Sequence, residues 1–165
     1  MYKIGDLTFY KSHGVCRVDR ILEENFTGKP MLYYVLQSKL RPGVTFYHPV
    51  ESDNSQLEKI ISNKDALKIV DSFKNPADEW EDRNTNRHRM QSEILKRNDH
   101  FEIAQLMNTL LRKEIALQQQ DKKLCAQDTQ FLQQISSMIY EVLELALNQP
   151  KDALERQIQQ IVTQY

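Results

Sequence analysis

The spacing of apolar side chains changes character once along this chain. Up to residue 50, short runs rich in β-branched and aromatic residues are broken by turn-formers, and all four glycines, Gly5, Gly14, Gly28 and Gly43, fall there. This pattern predicts strands at Leu7–Tyr10, Val15–Glu24, Leu32–Ser38 and Val44–Val50. Turns are expected at Ser12-His13-Gly14, Thr27-Gly28-Lys29-Pro30 and Arg41-Pro42-Gly43. Short strands in so few residues bury a common face by curling, which predicts a small β-barrel.

After Ser62 the period becomes helical. Ser62-Asn63-Lys64-Asp65 reads as a capping-box-like start, and Ala66, Leu67, Ile69, Val70 and Phe73 supply the apolar face of a short helix. Asn75-Pro76 with Asp78 and Glu79 offers a cap, a proline at the first helical position and acid at the positive dipole end. The domain boundary is therefore expected near residue 74, with domains over 1–74 and 75–165. Helices are predicted over 78–97, 100–118, 127–148 and 151–163. Asp99 caps the second of these, and Phe131, Leu132, Ile135, Met138, Ile139, Val142, Leu143 and Ala146 form the strongest stripe. The fold class is two-domain α+β, a small barrel followed by an all-α bundle. The glutamine-rich stretch at 118–120 reads as a solvated loop.

Charge and chemistry narrow the function. Residues 1–74 carry 11 basic and 9 acidic side chains and residues 75–165 carry 11 and 14, so neither half is a generic polyanion binder. Residues 83–97 are the local exception, with Arg83, Arg87, Arg89, Lys96 and Arg97 against Glu93 alone. Such a segment suits a phosphate backbone. Cys16 and Cys125 lie far apart without a CxxC or a Cys/His ligand cluster, which predicts buried thiols in a reducing compartment and no metal. With no apolar run of membrane-spanning length, a cytoplasmic protein is expected. The four histidines are scattered and no HExxH, GxSxG, GxGxxG or GxxxxGK[ST] occurs, so an enzyme and a bound cofactor are not expected.

What remains is Trp80 with the basic residues behind it. If the helix begins at 78, Trp80, Arg83 and Arg87 share one face, with Met90 and Ile94 continuing the line towards the core, while Arg89 and Lys96 point elsewhere. An indole beside two guanidinium groups suits a nucleic acid, where arginine fixes phosphates and the ring stacks or wedges. The alternative reading is a tryptophan packed at a domain junction.

At this point the chain resembles the CarD/CdnL-type bacterial transcription regulators. Tyr2-Lys3-Ile4-Gly5-Asp6, Tyr10 and His13-Gly14-Val15 are similar to the opening of their polymerase-interacting domain, which transcription-repair coupling factor shares. Gly28, Tyr33-Tyr34-Val35-Leu36, His48-Pro49-Val50 and Ile60-Ile61-Ser62 follow in the same order. So do Trp80 and Arg83, Ile94-Leu95, Asp99, Glu102-Ile103-Ala104, Leu110, Lys123-Leu124, Asp128, Phe131-Leu132 and Tyr140-Glu141.

The resemblance implies a Tudor-like (SH3-like) barrel that docks on the β subunit of RNA polymerase. It also implies a helical domain that contacts promoter DNA at the upstream edge of the transcription bubble, where a tryptophan, here Trp80, wedges into the minor groove. The DNA-contact set is then Trp80, Arg83, Arg87, Arg89, Lys96 and Arg97. An exposed edge strand can accept a strand from a partner, and Val44, Thr45, Phe46 and Tyr47, with Glu24 and Arg41, are the expected polymerase contacts. Lys11 stands where the family usually has proline, and Glu58 where it commonly has arginine. Glu24 and Tyr47 stand near places where relatives use basic residues. A monomer is expected. Two other readings are a protein-only polymerase adaptor and an SH3-like RNA or ribosome binder.

Overall fold

The structure, a computed structural model, describes residues 1–11, 13–39, 41–52 and 56–165. It divides into two compact units, Met1–Ile60 and Ile61–Tyr165. The expected boundary at 74 thus moves to 60–61. The reason is the short helix that follows, whose Ala66, Ile69, Val70 and Phe73 are buried in one core with the later helices.

The first unit is a five-stranded antiparallel sheet of β1 (Leu7–Tyr10), β2 (Gly14–Glu24), β3 (Met31–Ser38), β4 (Thr45–Pro49) and β5 (Leu57–Lys59), in the order β4-β3-β2-β1-β5. Four strands were legible as alternating runs. The three-residue β5, which pairs with β1 through Thr8 and Lys59, Phe9 and Glu58, and Tyr10 and Leu57, is too short to show a period. Among the described residues β4 and β5 do not pair with each other, so the expected barrel is a curled sheet with two open edges. Cys16, Val18, Tyr34, Leu36 and Leu57 form its core. Pro42 and Gly43 sit in a turn closed by the Val44 N–H to Arg41 O at 3.1 Å, and the φ of +84° at Gly43 is the reason glycine stands there. Ser12, in the first expected turn, lies outside the described residues.

The second unit holds α1 (Asn63–Ser72), α2 (Asn84–Arg97), α3 (His100–Gln118), α4 (Ala126–Leu147) and α5 (Lys151–Gln164). Two starts fall where the caps predict them. Ser62 Oγ accepts the Asp65 N–H at 3.1 Å, and Asp99 Oδ1 accepts those of Phe101 and Glu102 at 2.8 and 3.1 Å. The core joins α1 to Ile103, Met107 and Leu110 of α3, Leu132, Ile135, Ile139 and Leu143 of α4, and Leu154 and Ile158 of α5.

The segment 76–83 departs from expectation: α2 starts at Asn84, not near 78. The backbone before it finds partners on α3 instead of making helical bonds. Asn108 Nδ2 donates to Asn75 O at 2.9 Å, Gln105 Nε2 to Pro76 O at 3.1 Å, and the Asp78 N–H to Thr109 Oγ1 at 3.0 Å. A stripe of polar side chains at helical spacing thus staples a non-helical segment along α3.

Candidate functional sites: an open strand edge and a buried arginine beside Trp80

Two places can meet a partner, one on each unit. On the sheet, the place is β4. The Ser38 N–H bonds Val44 O and the Val50 N–H bonds Leu32 O, at 3.1 and 2.9 Å, which puts the even-numbered residues of 44–50 in the bonded pairs with β3. The alternation of an antiparallel ladder then turns the N–H and C=O of Thr45 and Tyr47 to the open edge. Pro49, lacking an N–H, ends the donor row.

The side chains sort differently from the sequence expectation. Tyr47 is 48% exposed and its ring lies edge-on to Phe26 at 5.2 Å, and Thr45 is exposed as well. Phe46 points the other way, stacked on His13 at 4.4 Å, so it is a core contact and not a docking side chain. Val44 lies just before β4, half-buried in the turn. Arg41 is exposed in that turn, and Glu24 is exposed at the end of β2, with β3 between it and the edge. Tyr33 and Tyr34 are each 4% exposed, which removes the stacking platform that an RNA-binding reading needs.

In the helical unit, the helix face that was to align Trp80 and Arg83 with Arg87 does not form, because Trp80 lies in the stapled segment and Arg83 is the N-cap of α2. Arg87 is 7% exposed, so it does not belong to the solvent-facing DNA set. Its guanidinium meets Asp128, in the first turn of α4, through Nη2 to Oδ2 at 2.6 Å and Nε to both oxygens at 3.2 Å. Its remaining donors reach Glu81 O and Asn84 Oδ1, both at 2.7 Å. The same guanidinium lies over the Trp80 ring, 4.6 Å from its centre, and Lys113 Nζ lies 4.9 Å from it. Met90, Ile94, Leu106 and Leu110 line a cavity of about 70 Å³ beside the half-buried indole.

Asp128 is the hub. Its side chain is 1% exposed, and it also accepts from Gln91 Nε2 at 2.9 Å and the Cys125 thiol at 3.0 Å. Burial alone pushes its carboxyl up, but the hydrogen bonds from Arg87, Cys125 and Gln91 and the guanidinium charge outweigh burial and bring it down to about 2.

Cys125 is exposed rather than buried as expected, and its sulfur caps α4 by accepting the Asp128 N–H at 3.5 Å. The absence of a Cys/His cluster read from the sequence also fails in space. The ligand atoms of His88, Cys125 and Asp128 lie within 4.8 Å of one another. Arg87 already supplies the positive charge to that carboxylate, and the α4 N-terminus adds to it, so the electrostatics disfavour a second cation there.

Of the other basic residues, Arg83, Arg89, Lys96 and Arg97 are all exposed, and Arg97 also pairs with Glu102 at 2.7 Å. Among the described residues no helix is long and apolar enough to cross a membrane. A family model described as the CarD-like/TRCF RID domain matches residues 2–61, and one described as the CarD C-terminal domain matches residues 68–159. No individual curated protein is matched.

Proposed function

Since the chain belongs to the CarD-like family of RNA polymerase-binding transcription regulators, with both domain models matched in order, we propose that it docks on the polymerase β subunit through its sheet and stabilises the open promoter through its helical unit. The matched families are those of transcription-factor domains, not of an enzyme. One observation carries the docking half: the outward N–H and C=O groups of Thr45 and Tyr47 on an edge that no described strand covers. An extended polymerase segment added there gains main-chain hydrogen bonds, with Tyr47 reading its side chains.

For the DNA half, the single tryptophan lies three residues before exposed Arg83 in the chain, with exposed Arg89 and Lys96 further along α2. Tethering through the sheet raises the local concentration of the helical unit at the promoter, so few phosphate contacts suffice. A wedge that binds the melted state better than the closed duplex then shifts the equilibrium towards open. In this reading the protein works in the bacterial cytoplasm, as a monomer on one polymerase.

The burial of Arg87 and the pairing of Arg97 leave fewer cations for phosphate, which favours the protein-only adaptor as the second reading. One experiment separates the two. The lifetime of open complexes at a polymerase-dependent promoter is measured with the full chain and with Trp80→Ala, at matched polymerase occupancy and several salt concentrations. A shortened lifetime with the variant supports the wedge. A gain in lifetime over polymerase alone that responds neither to Trp80 nor to salt assigns the adaptor, because an adaptor releases no counterions of its own.

A further inference from the structure

The arrangement around Trp80 contains more than a ring and its neighbours. The residue has no helix of its own to hold it, since 76–83 forms no regular secondary structure, and its side chain is only half-buried. Besides the bonds from α3 to Asn75, Pro76 and Asp78, its order comes from a short chain of contacts. Asp128 fixes Arg87 through both carboxylate oxygens, and Arg87 donates to the carbonyl of Glu81, the next residue after Trp80. The same guanidinium covers the indole at 4.6 Å. One planar cation therefore holds both the ring of the tryptophan and the backbone carbonyl of the residue that follows it. It is itself held by a carboxylate 41 residues later in the chain, in the first turn of α4.

We propose that Asp128 is the positioning residue for Trp80, acting through Arg87, and that the first turn of α4 thereby sets the orientation in which the indole meets DNA. This rests on the wedge reading above. The physical reason is preorganisation: a ring that must order on binding spends part of its contact energy on its own immobilisation, and a ring already held does not. The fork of arginine is needed because it satisfies Asp128, the Glu81 carbonyl and the ring face at once, which the point charge of lysine cannot do. Gln91 and the Cys125 thiol complete the carboxylate's shell and keep it from turning.

The test uses the full chain and its single tryptophan as the reporter. Asp128→Asn keeps the size of the side chain and removes its charge, and Arg87→Lys keeps the charge and removes the fork. For each, acrylamide quenching of Trp80 fluorescence, the thermal midpoint and the open-complex lifetime at matched polymerase occupancy are measured. The expected result is quenching increased at least twofold and a lifetime shortened about tenfold in both folded variants. If Asp128→Asn does not fold, Arg87→Lys carries the same readouts.

Unchanged quenching overturns the positioning role, whatever happens to the midpoint. Increased quenching with an unchanged or longer lifetime overturns it too, since the wedge would then not need to be held. Failure of the underlying reading is seen separately, as an unchanged lifetime in Trp80→Ala.

Discussion

Replacing Arg87 with methionine should destabilise the helical unit far more than a surface substitution would. The variant keeps the aliphatic length of the side chain but leaves Asp128, 1% exposed, as a carboxylate without its cation. It also strips the carbonyl of Glu81 and the amide oxygen of Asn84 of their donors. Breaking a buried pair from one side costs about 3–5 kcal/mol, whereas an exposed arginine that merely touched phosphate would cost within about 0.5 kcal/mol.

Acid sharpens the test. The Asp128 carboxyl sits at about 2 against an ordinary 3.8. Its folded value is depressed, so its stabilisation is complete above about pH 4 and is lost as pH falls through about 2, an amount of about 2 kcal/mol. Without Arg87 the carboxyl titrates at higher pH, and the acid-unfolding midpoint should rise with it. Urea unfolding followed by Trp80 fluorescence measures the first effect, and acid titration by circular dichroism the second. The double variant Arg87→Met/Asp128→Asn should be closer to wild type than Arg87→Met alone, because no charge is then stranded. A destabilisation below about 1 kcal/mol for Arg87→Met would refute the assignment of Arg87 to the interior.

Tyr47→Pro removes an outward donor from β4 without touching the β3 ladder, and should abolish retention of the polymerase β subunit in a pull-down by the full chain. Retention at the wild-type level would move docking off this edge. Residues 1–61 should still retain the β subunit, since the sheet has its own core; a fragment that folds but does not bind would place docking elsewhere. Arg83→Ala and Arg89→Ala should each flatten the salt dependence of promoter affinity by about one unit of slope for each phosphate no longer neutralised, with the thermal midpoint unchanged. Trp80→Ala should shorten the open-complex lifetime by an amount equivalent to about 1–3 kcal/mol. Its cost in stability should stay below the roughly 3–5 kcal/mol of a fully buried aromatic, because the indole is only half-buried.

How much of this was legible before the chain was folded follows from the range of each interaction. Alternation and glycine-centred turns are properties of neighbouring residues, so β1 to β4 could be read within a residue of their observed ends. The caps at Ser62 and Asp99 and the stripe of α4 are local in the same way. Their order, together with the residues that resemble the CarD-type regulators, carried the family and the α+β class.

Three things were beyond local reading. Strand β5 exists because β1 offers it an edge, and the sheet stays open because β4 and β5 find no mutual register among the described residues. The Asn75-Pro76 start signal loses to Gln105, Asn108 and Thr109, which bond that backbone from about thirty positions away. Arg87 looked like one cation of a basic run, and tertiary structure made it the partner of a carboxylate 41 residues on. A charge pattern along the chain cannot distinguish an arginine facing water from one facing a buried aspartate, because burial is decided by what folds over it.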